Sequence, residues 1–283
     1  MTLQGIRFVC VKSDKMNMFE IKNFPDAIQK RIKNQPYKND NIGESGSLIL
    51  IFENMVLKIE PTSCQANNEY EVLKWLQGKL PVPEIIEFER ADNYNYLLMS
   101  KLDGTMACDE INLKNPEMIV EALADGLKQL WRIDIDNCPY CNRLDKRLKD
   151  ADYNIEHNLV DVDDFNDDTL GENGFKDVDE LYDFLLKNKP PEDLVFTHGD
   201  YCLPNIFIGK DKADGFLDLG KAGIADRWQD IALCVRSLKY NVCDLCGLSN
   251  DVYLKLKNKL YSLLEITEDK EKLRYYILLD ELF

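Results

Sequence analysis

Hydrophobic spacing changes character near residue 102 of this chain. Before that point, apolar residues come in short blocks bounded by turn residues. Residues 48–52 and 55–59 are two such blocks, separated by Glu53-Asn54, and they predict a hairpin. In the second block Met55, Leu57 and Ile59 share one face of a strand, while Val56 and Lys58 share the other. Residues 85–89 and 96–100 predict another hairpin around Asp92-Asn93. Between the hairpins, residues 68–77 predict a helix with Glu69, Val72, Leu73 and Leu76 on one face. Pro81 and Pro83 end it. Asp103-Gly104 predicts a turn and a hinge. Beyond it the apolar period is helical. Ile119, Leu123, Leu127, Leu130 and Trp131 form one stripe, residues 181–186 start a second, and Ile231, Val235 and Leu238 mark a third. The pattern predicts an α+β protein with two lobes. Residues 1–102 form a small antiparallel-sheet lobe with one helix, and residues 103–283 form a larger, mainly helical lobe.

Two charges interrupt apolar positions in the first lobe. A Lys inside an apolar strand costs free energy unless its charge is paired. Glu69 points where the apolar residues of its helix point, so Lys58 is its natural partner.

The chain has 283 residues, enough for two lobes around one cleft. Lys plus Arg number 35 and Asp plus Glu 51, a net charge of −16. That balance disfavours nucleic acid, which needs a basic footprint, and favours a cationic ligand. Six of the acids, Asp161, Asp163, Asp164, Asp167, Asp168 and Glu172, fall in one segment. No apolar run approaches a membrane span, and the first residues lack a secretory pattern. Nine cysteines, an odd number, predict reduced thiols and a cytoplasmic protein, as a monomer or weak dimer.

The chemistry concentrates in Thr197-His198-Gly199-Asp200-Tyr201-Cys202-Leu203-Pro204-Asn205 and the later Asp218-Leu219-Gly220. Phosphoryl transfer needs an acceptor for the substrate hydroxyl proton and oxygen ligands for magnesium. Asp200 supplies the first. Asn205, five residues on, and Asp218, at the end of an apolar run, supply the second. His198 reads as structural, because this scheme leaves it no proton to move, and His157 reads as a surface residue. Gly43-Glu44-Ser45-Gly46-Ser47 precedes the first hairpin, where backbone N–H groups of a glycine-bearing loop can approach phosphates.

These motifs resemble the aminoglycoside 3'-phosphotransferase family, whose fold is protein-kinase-like. The resemblance runs through residues 196–238, including Cys202-Leu203-Pro204-Asn205 and Gly223-Ile224-Ala225-Asp226-Arg227-Trp228-Gln229-Asp230. It includes Gly78-Lys79-Leu80-Pro81-Val82-Pro83, and the C-terminus from Tyr275 to Phe283 is similar to that of the type III enzyme of Gram-positive bacteria. The first 40 residues match poorly. The resemblance implies magnesium-dependent transfer of the γ-phosphate of ATP, or GTP, to a hydroxyl of an aminoglycoside such as kanamycin or neomycin, inactivating it. The favoured position is the 3'-hydroxyl, with the 5''-hydroxyl as the alternative.

Residue roles follow from the same resemblance. Ser45, Gly46 and Ser47 belong to the nucleotide-positioning loop. Lys58, supported by Glu69, meets the nucleotide phosphates. Backbone groups of Ser100 and Leu102 meet the purine. Val56 stands where relatives often stack an aromatic residue on adenine. Lys221 stands where relatives generally carry Arg. Asp163, Asp164, Asp167 and Asp168, with Arg236, Glu281 and the terminal Phe283 carboxylate, make the substrate site; carboxylates complement the ammonium groups of an aminoglycoside. The nearest rival is a kinase of the same fold acting on another small cation or sugar. A non-catalytic pseudokinase is disfavoured by the intact Lys58, Asp200, Asn205 and Asp218. Cys138-Pro139-Tyr140-Cys141 and Cys243-Asp244-Leu245-Cys246 read as free thiols, since the helix before the first pair is the wrong context for a redox motif.

Overall fold

The structure, a computed structural model, describes residues 21–40, 47–166, 168–172, 174–210 and 212–283, with the side chains of Asp40 and Asp164 outside that description. The chain divides into two compact units. One comprises residues 1–63 and 85–101; the other comprises residues 64–84 and 102–283.

The first unit holds a five-stranded antiparallel sheet of β1 (Lys38–Asp40), β2 (Leu48–Ile51), β3 (Met55–Pro61), β4 (Ile85–Ala91) and β5 (Tyr94–Ser100), in the order β1-β2-β3-β5-β4. Both expected hairpins form. Asp92 and Asn93 adopt φ of 50° and 64°, the left-handed pair of a two-residue hairpin turn. Met55, Leu57 and Ile59 point into one apolar cluster, as their alternation predicts, and there they meet Phe24, Ile28, Ile32, Leu50, Tyr96 and Leu98. A helix that the periodicity does not reveal, α1 (Asp26–Ile32), covers that cluster. Its apolar signal is only Ile28 and Ile32, one turn apart, too short a pattern to separate a helix from a strand.

The second unit contains the remaining helices and two small antiparallel sheets. The helix expected at residues 68–77 is α2 (Cys64–Leu76), and it buries Glu69, Val72, Leu73 and Leu76 as the spacing predicts. It groups with the second unit rather than with the sheet. Asn68 Nδ2 donates to the Gly220 carbonyl at 2.6 Å, and the Trp75 ring lies 5.4 Å from that of Phe196. After β6 (Thr105–Met106) and α3 (Glu110–Leu113) comes α4 (Pro116–Trp131), with Pro at its start and Asn115 as its cap. Ile119, Leu123, Leu127 and Leu130 are fully buried, each contributing about 1.5–3 kcal/mol of hydrophobic stabilisation. α5 (Leu144–Glu156) and α6 (Val178–Lys187) follow, with the acidic segment between them.

The strands around residues 197–218 come next. β7 (Leu194–Thr197) pairs with β10 (Gly223–Asp226), and β8 (Ile206–Gly209) pairs with β9 (Lys212–Phe216) and with β6. α7 (Arg227–Lys239), a π-helical turn over residues 240–245, α8 (Asn250–Leu264) and α9 (Lys270–Asp280) complete the unit. The fully buried Asp226 caps α7 by accepting the Trp228 N–H at 3.0 Å, and its other oxygen takes the Lys272 ammonium of α9 at 2.6 Å. No helix among the described residues is long and apolar enough to cross a membrane.

Candidate active site

The candidate catalytic loop hangs from the end of β7. Thr197 pairs with Gly223 on β10, and its hydroxyl donates to the Gly223 carbonyl at 2.8 Å. The next two residues are pinned from below by α7. The Asp230 carboxylate accepts the His198 N–H at 2.7 Å and the Gly199 N–H at 2.9 Å. Gly199 has φ of +84°, and a Cβ there would stand 2.0 Å from the Lys221 carbonyl oxygen, so only glycine fits. Tyr201 is fully buried and donates its hydroxyl to the Leu123 carbonyl at 2.8 Å, which anchors the loop to α4. Gly126 on α4 leaves room for that ring; a Cβ there would meet the hydroxyl at 2.2 Å.

Asp200 emerges from this frame half-buried. Asn205 Nδ2 donates to the Asp200 carboxylate at 3.1 Å and to its carbonyl at 3.0 Å. The Asn205 carbonyl in turn accepts the Leu217 N–H at 2.9 Å, which ties the loop to the residue before Asp218. Asp218 itself is left-handed, φ 54° and ψ 51°, a costly conformation for a residue with a side chain and one that functional sites often hold. The structure thus brings Asp200, Asn205 and Asp218 together around one hairpin. With the Asn205 amide nitrogen committed to Asp200, its side-chain oxygen is the atom left to meet a cation. That oxygen and the Asp218 carboxylate are of the hard-oxygen type that suits magnesium.

His198 and Cys202 flank the carboxylates without competing with them. His198 is fully buried, and its Nδ1 accepts the Asp200 N–H at 3.3 Å. Burial holds its pKa below the ordinary value against the pull of Asp200 and Asp218, so the ring is a neutral brace. Burial, then the negative charge of Asp200, pushes the Cys202 thiol far above its usual range and keeps it protonated. His157 lies exposed at the end of α5.

The acidic segment and the C-terminal tail meet. Glu281 accepts the Asn166 N–H at 3.1 Å and also the Asn166 side-chain amide. Burial raises the Glu281 pKa, against the pull of the Asn166 N–H and the Arg236 charge. Asp163 and Asp168 are exposed on the same segment; Asp167 lies outside the described residues, and Asp164 is described by its backbone alone. Arg236, expected at the substrate site, is ion-paired with Asp280. Phe283 is 39% exposed at the end of the tail.

The expected nucleotide residues fall in both units. Lys58, on β3, is buried, and its ammonium lies 3.7 Å from Glu60. Ser47 donates to that same Glu60 at 3.5 Å. Ser45 and Gly46 lie outside the described residues. Ser100 ends β5, half-buried. In the second unit Glu69 is buried on α2, and Leu102 packs its side chain on Gly215.

Sequence reasoning missed Asp230 and Asp280 as site-supporting residues. Asp230 repeats at three and four from apolar α7 positions, at an inward register, and that was the available signal.

Comparison with known proteins decides what this frame belongs to. The profile of the Phosphotransferase enzyme family matches residues 48–244. An aminoglycoside 3'-phosphotransferase of Enterococcus faecalis is 44% identical over 82% of this chain and 86% of its own length. One from Staphylococcus aureus is 41% identical over 88% of this chain and 90% of its own length. This chain belongs to the aminoglycoside 3'-phosphotransferase family. The resemblance read from its motifs is therefore borne out, and the protein is an enzyme. Its fold matches that of the aminoglycoside phosphotransferase APH(3'')-Id of Streptomyces rimosus, with a TM-score of 0.77 at 21% identity, over 90% of this chain and 96% of that one. The same Streptomyces protein is known in complex with ADP and streptomycin, and there the TM-score is 0.75 at 20% identity, with the same coverage of both chains. The phosphotransferase fold is thus present here as two α+β units.

Proposed function

We propose that this phosphotransferase moves the γ-phosphoryl group of ATP, with magnesium, to a hydroxyl of an aminoglycoside of the kanamycin or neomycin type. The 3'-hydroxyl is the favoured acceptor, in line with the names of its relatives. The observation that carries this reading is the Asp200 carboxylate, fixed by Asn205 and set in a loop that Asp230 pins. Aminoglycosides are polycations, and the meeting of Glu281 with the acidic segment at Asn166 supplies negative charge of the matching kind. The Streptomyces protein that binds ADP and streptomycin supports a nucleotide donor and a cationic acceptor.

In this mechanism Asp200 accepts a hydrogen bond from the attacking hydroxyl and takes its proton as the new oxygen–phosphorus bond forms. The bond between the γ-phosphorus and the bridging oxygen breaks, and ADP leaves with that electron pair. The transition state is loose, so orientation contributes more than basicity. Asn205 and Asp218 would hold magnesium, which neutralises charge on the phosphates. Lys58 supplies a further cation for the nucleotide. Glu281, the Phe283 carboxylate, Asp163 and Asp168 take the ammonium groups of the acceptor.

The test is magnesium-dependent ADP release from ATP with kanamycin, with choline and with no acceptor. Release with kanamycin alone supports the reading, and the position of the new phosphate then decides between 3' and 5''. Release with choline alone moves the substrate. No release with any of them, despite nucleotide binding, sinks the proposed activity.

A further inference from the structure

Phe283 is 39% exposed and borders a cavity of ≈ 830 Å³. Yet its ring is covered by a cation. The Arg147 guanidinium of α5 lies 4.1 Å from the ring centroid, a distance at which the ring quadrupole attracts the charge. The same guanidinium lies 3.6 Å from the Asp280 carboxylate, three residues earlier in the tail.

Arg147 is only 4% exposed, an unusual place for a cation. Its Nε finds no hydrogen-bond partner, and of the carboxylates that favour its charge Asp280 comes first, ahead of Asp150 and Asp200. Two turns on along α5, Asn154 Nδ2 donates to the Leu282 carbonyl at 2.9 Å. Residues seven apart share a helix face, so α5 holds the tail at two points on one side. The other side of Asp280 is taken by Arg236 of α7, the helix whose Asp230 pins the catalytic loop.

We propose that Arg147 is a positioning residue: by pairing with Asp280 and covering the Phe283 ring it fixes where Glu281 and Phe283 stand. The consequence for substrate binding rests on the function proposed above; the consequence for the tail does not. Arg147 touches no reacting atom. It reaches the acceptor through the tail, so its loss should appear first in acceptor binding; its charge is also felt at Asp200 and Asp230, so a smaller fall in kcat should accompany it.

Two measurements on Arg147→Met and Arg147→Lys test this. Met keeps most of the volume of the stem and loses the charge. Lys keeps the charge and loses the flat fork that can cover a ring and meet a carboxylate together. The first measurement is release of Phe283 by a carboxypeptidase, followed by mass spectrometry on the folded full-length protein. Arg147→Met should lose Phe283 roughly tenfold faster than the parent, the effect of losing about 1.4 kcal/mol of tail docking, with Arg147→Lys between them. The second is steady-state kinetics. Arg147→Met should raise KM for kanamycin roughly tenfold, with a smaller fall in kcat and with KM for ATP within about twofold of the parent. Unchanged Phe283 release in Arg147→Met would overturn the proposal whatever the substrate proves to be. Faster release with unchanged KM for an acceptor the parent turns over would overturn its link to substrate. Should Arg147→Met fail to fold, Arg147→Lys alone decides, since release no faster than in the parent would also overturn it.

Discussion

The Asp230 carboxylate accepts the Gly199 N–H at 2.9 Å, one residue before Asp200 in the chain. Its other oxygen accepts the His198 N–H, so a single fully buried acid on α7 fixes the catalytic loop. Burial pushes its pKa up to about 7, against the two N–H groups that favour the ionised form. Protonation would turn one acceptor oxygen into a donor facing an N–H. Turnover should therefore fall as pH drops through about 7. Stability should move the other way. A carboxyl raised from its ordinary 3.8 contributes stability that is present at low pH and lost as pH rises through about 7. Asp230→Asn retains one acceptor and cannot ionise. It should slow turnover by about 10- to 100-fold, the value of one charge-assisted hydrogen bond, and flatten both pH trends. pH profiles of kcat and of urea midpoints for both proteins check this. A variant that keeps the parental pH profile would assign the titration to another group.

Much of this loop was legible in the residues themselves, and the reason is spacing. Asp200, Asn205 and Asp218 sit at intervals that a short hairpin closes, and β8 and β9 close it. Met55, Leu57 and Ile59 alternate because one face of β3 is buried. Two kinds of feature escaped. α1 has one turn of apolar signal, too little for periodicity to register. Asp230 and Asp280 act through tertiary partners 31 and 44 residues away, at Gly199 and Arg236, and nothing local marks an inward carboxylate as a brace rather than a misplaced charge. The grouping of α2 is of the same kind, since the bond from Asn68 to Gly220 spans 152 residues.

Asp200 is oriented by Asn205 through two hydrogen bonds from one amide. Asp200→Ala should lower kcat by at least about a thousandfold, within the range for loss of a positioned general base, while ADP affinity stays near normal. Asn205→Ala frees the carboxylate and removes the proposed oxygen ligand together. It should lower kcat and also raise the magnesium concentration needed for half-maximal rate. A magnesium titration of both variants separates the roles: a shifted requirement in Asn205→Ala alone is the expected outcome. An equal shift in Asp200→Ala would make Asp200 a metal ligand.

Asp280 is a buried acid of this frame that stays ionised through its cationic neighbours. Burial alone would raise its pKa, but Arg236, then Lys221 and Arg147, outweigh burial and hold it below the ordinary carboxylate value. A depressed pKa contributes stability that is present above the ordinary value of 3.8 and lost as pH falls through the depressed one. Asp280→Asn leaves Arg147 buried without its counter-charge and should cost about 3 kcal/mol at neutral pH. The cost should shrink in acid, where the parent loses the same ion pair. Urea unfolding of both proteins at neutral and strongly acidic pH measures it, and a cost independent of pH would mean that packing, not charge, is what Asp280 contributes.

Gly199 has both constraints that exclude a side chain. Its φ of +84° is left-handed, and a Cβ would press on the Lys221 carbonyl at 2.0 Å. That carbonyl cannot readily give way, because Asn142 Nδ2 donates to it at 2.5 Å. Gly199→Ala should therefore cost about 1–2 kcal/mol for the backbone conformation alone, with the clash added. The loop can relieve the clash only by swinging away from residues 219–221, and that motion carries Asp200 with it and lengthens the bonds from His198 and Gly199 to Asp230. Activity should fall far more than stability, with kcat down by at least about a hundredfold, because small misplacements of a catalytic group are costly. Thermal melting alongside kinetics decides the matter. A loss of stability without a loss of kcat would show that the loop can shift while Asp200 holds its position, and would separate the glycine from the chemistry.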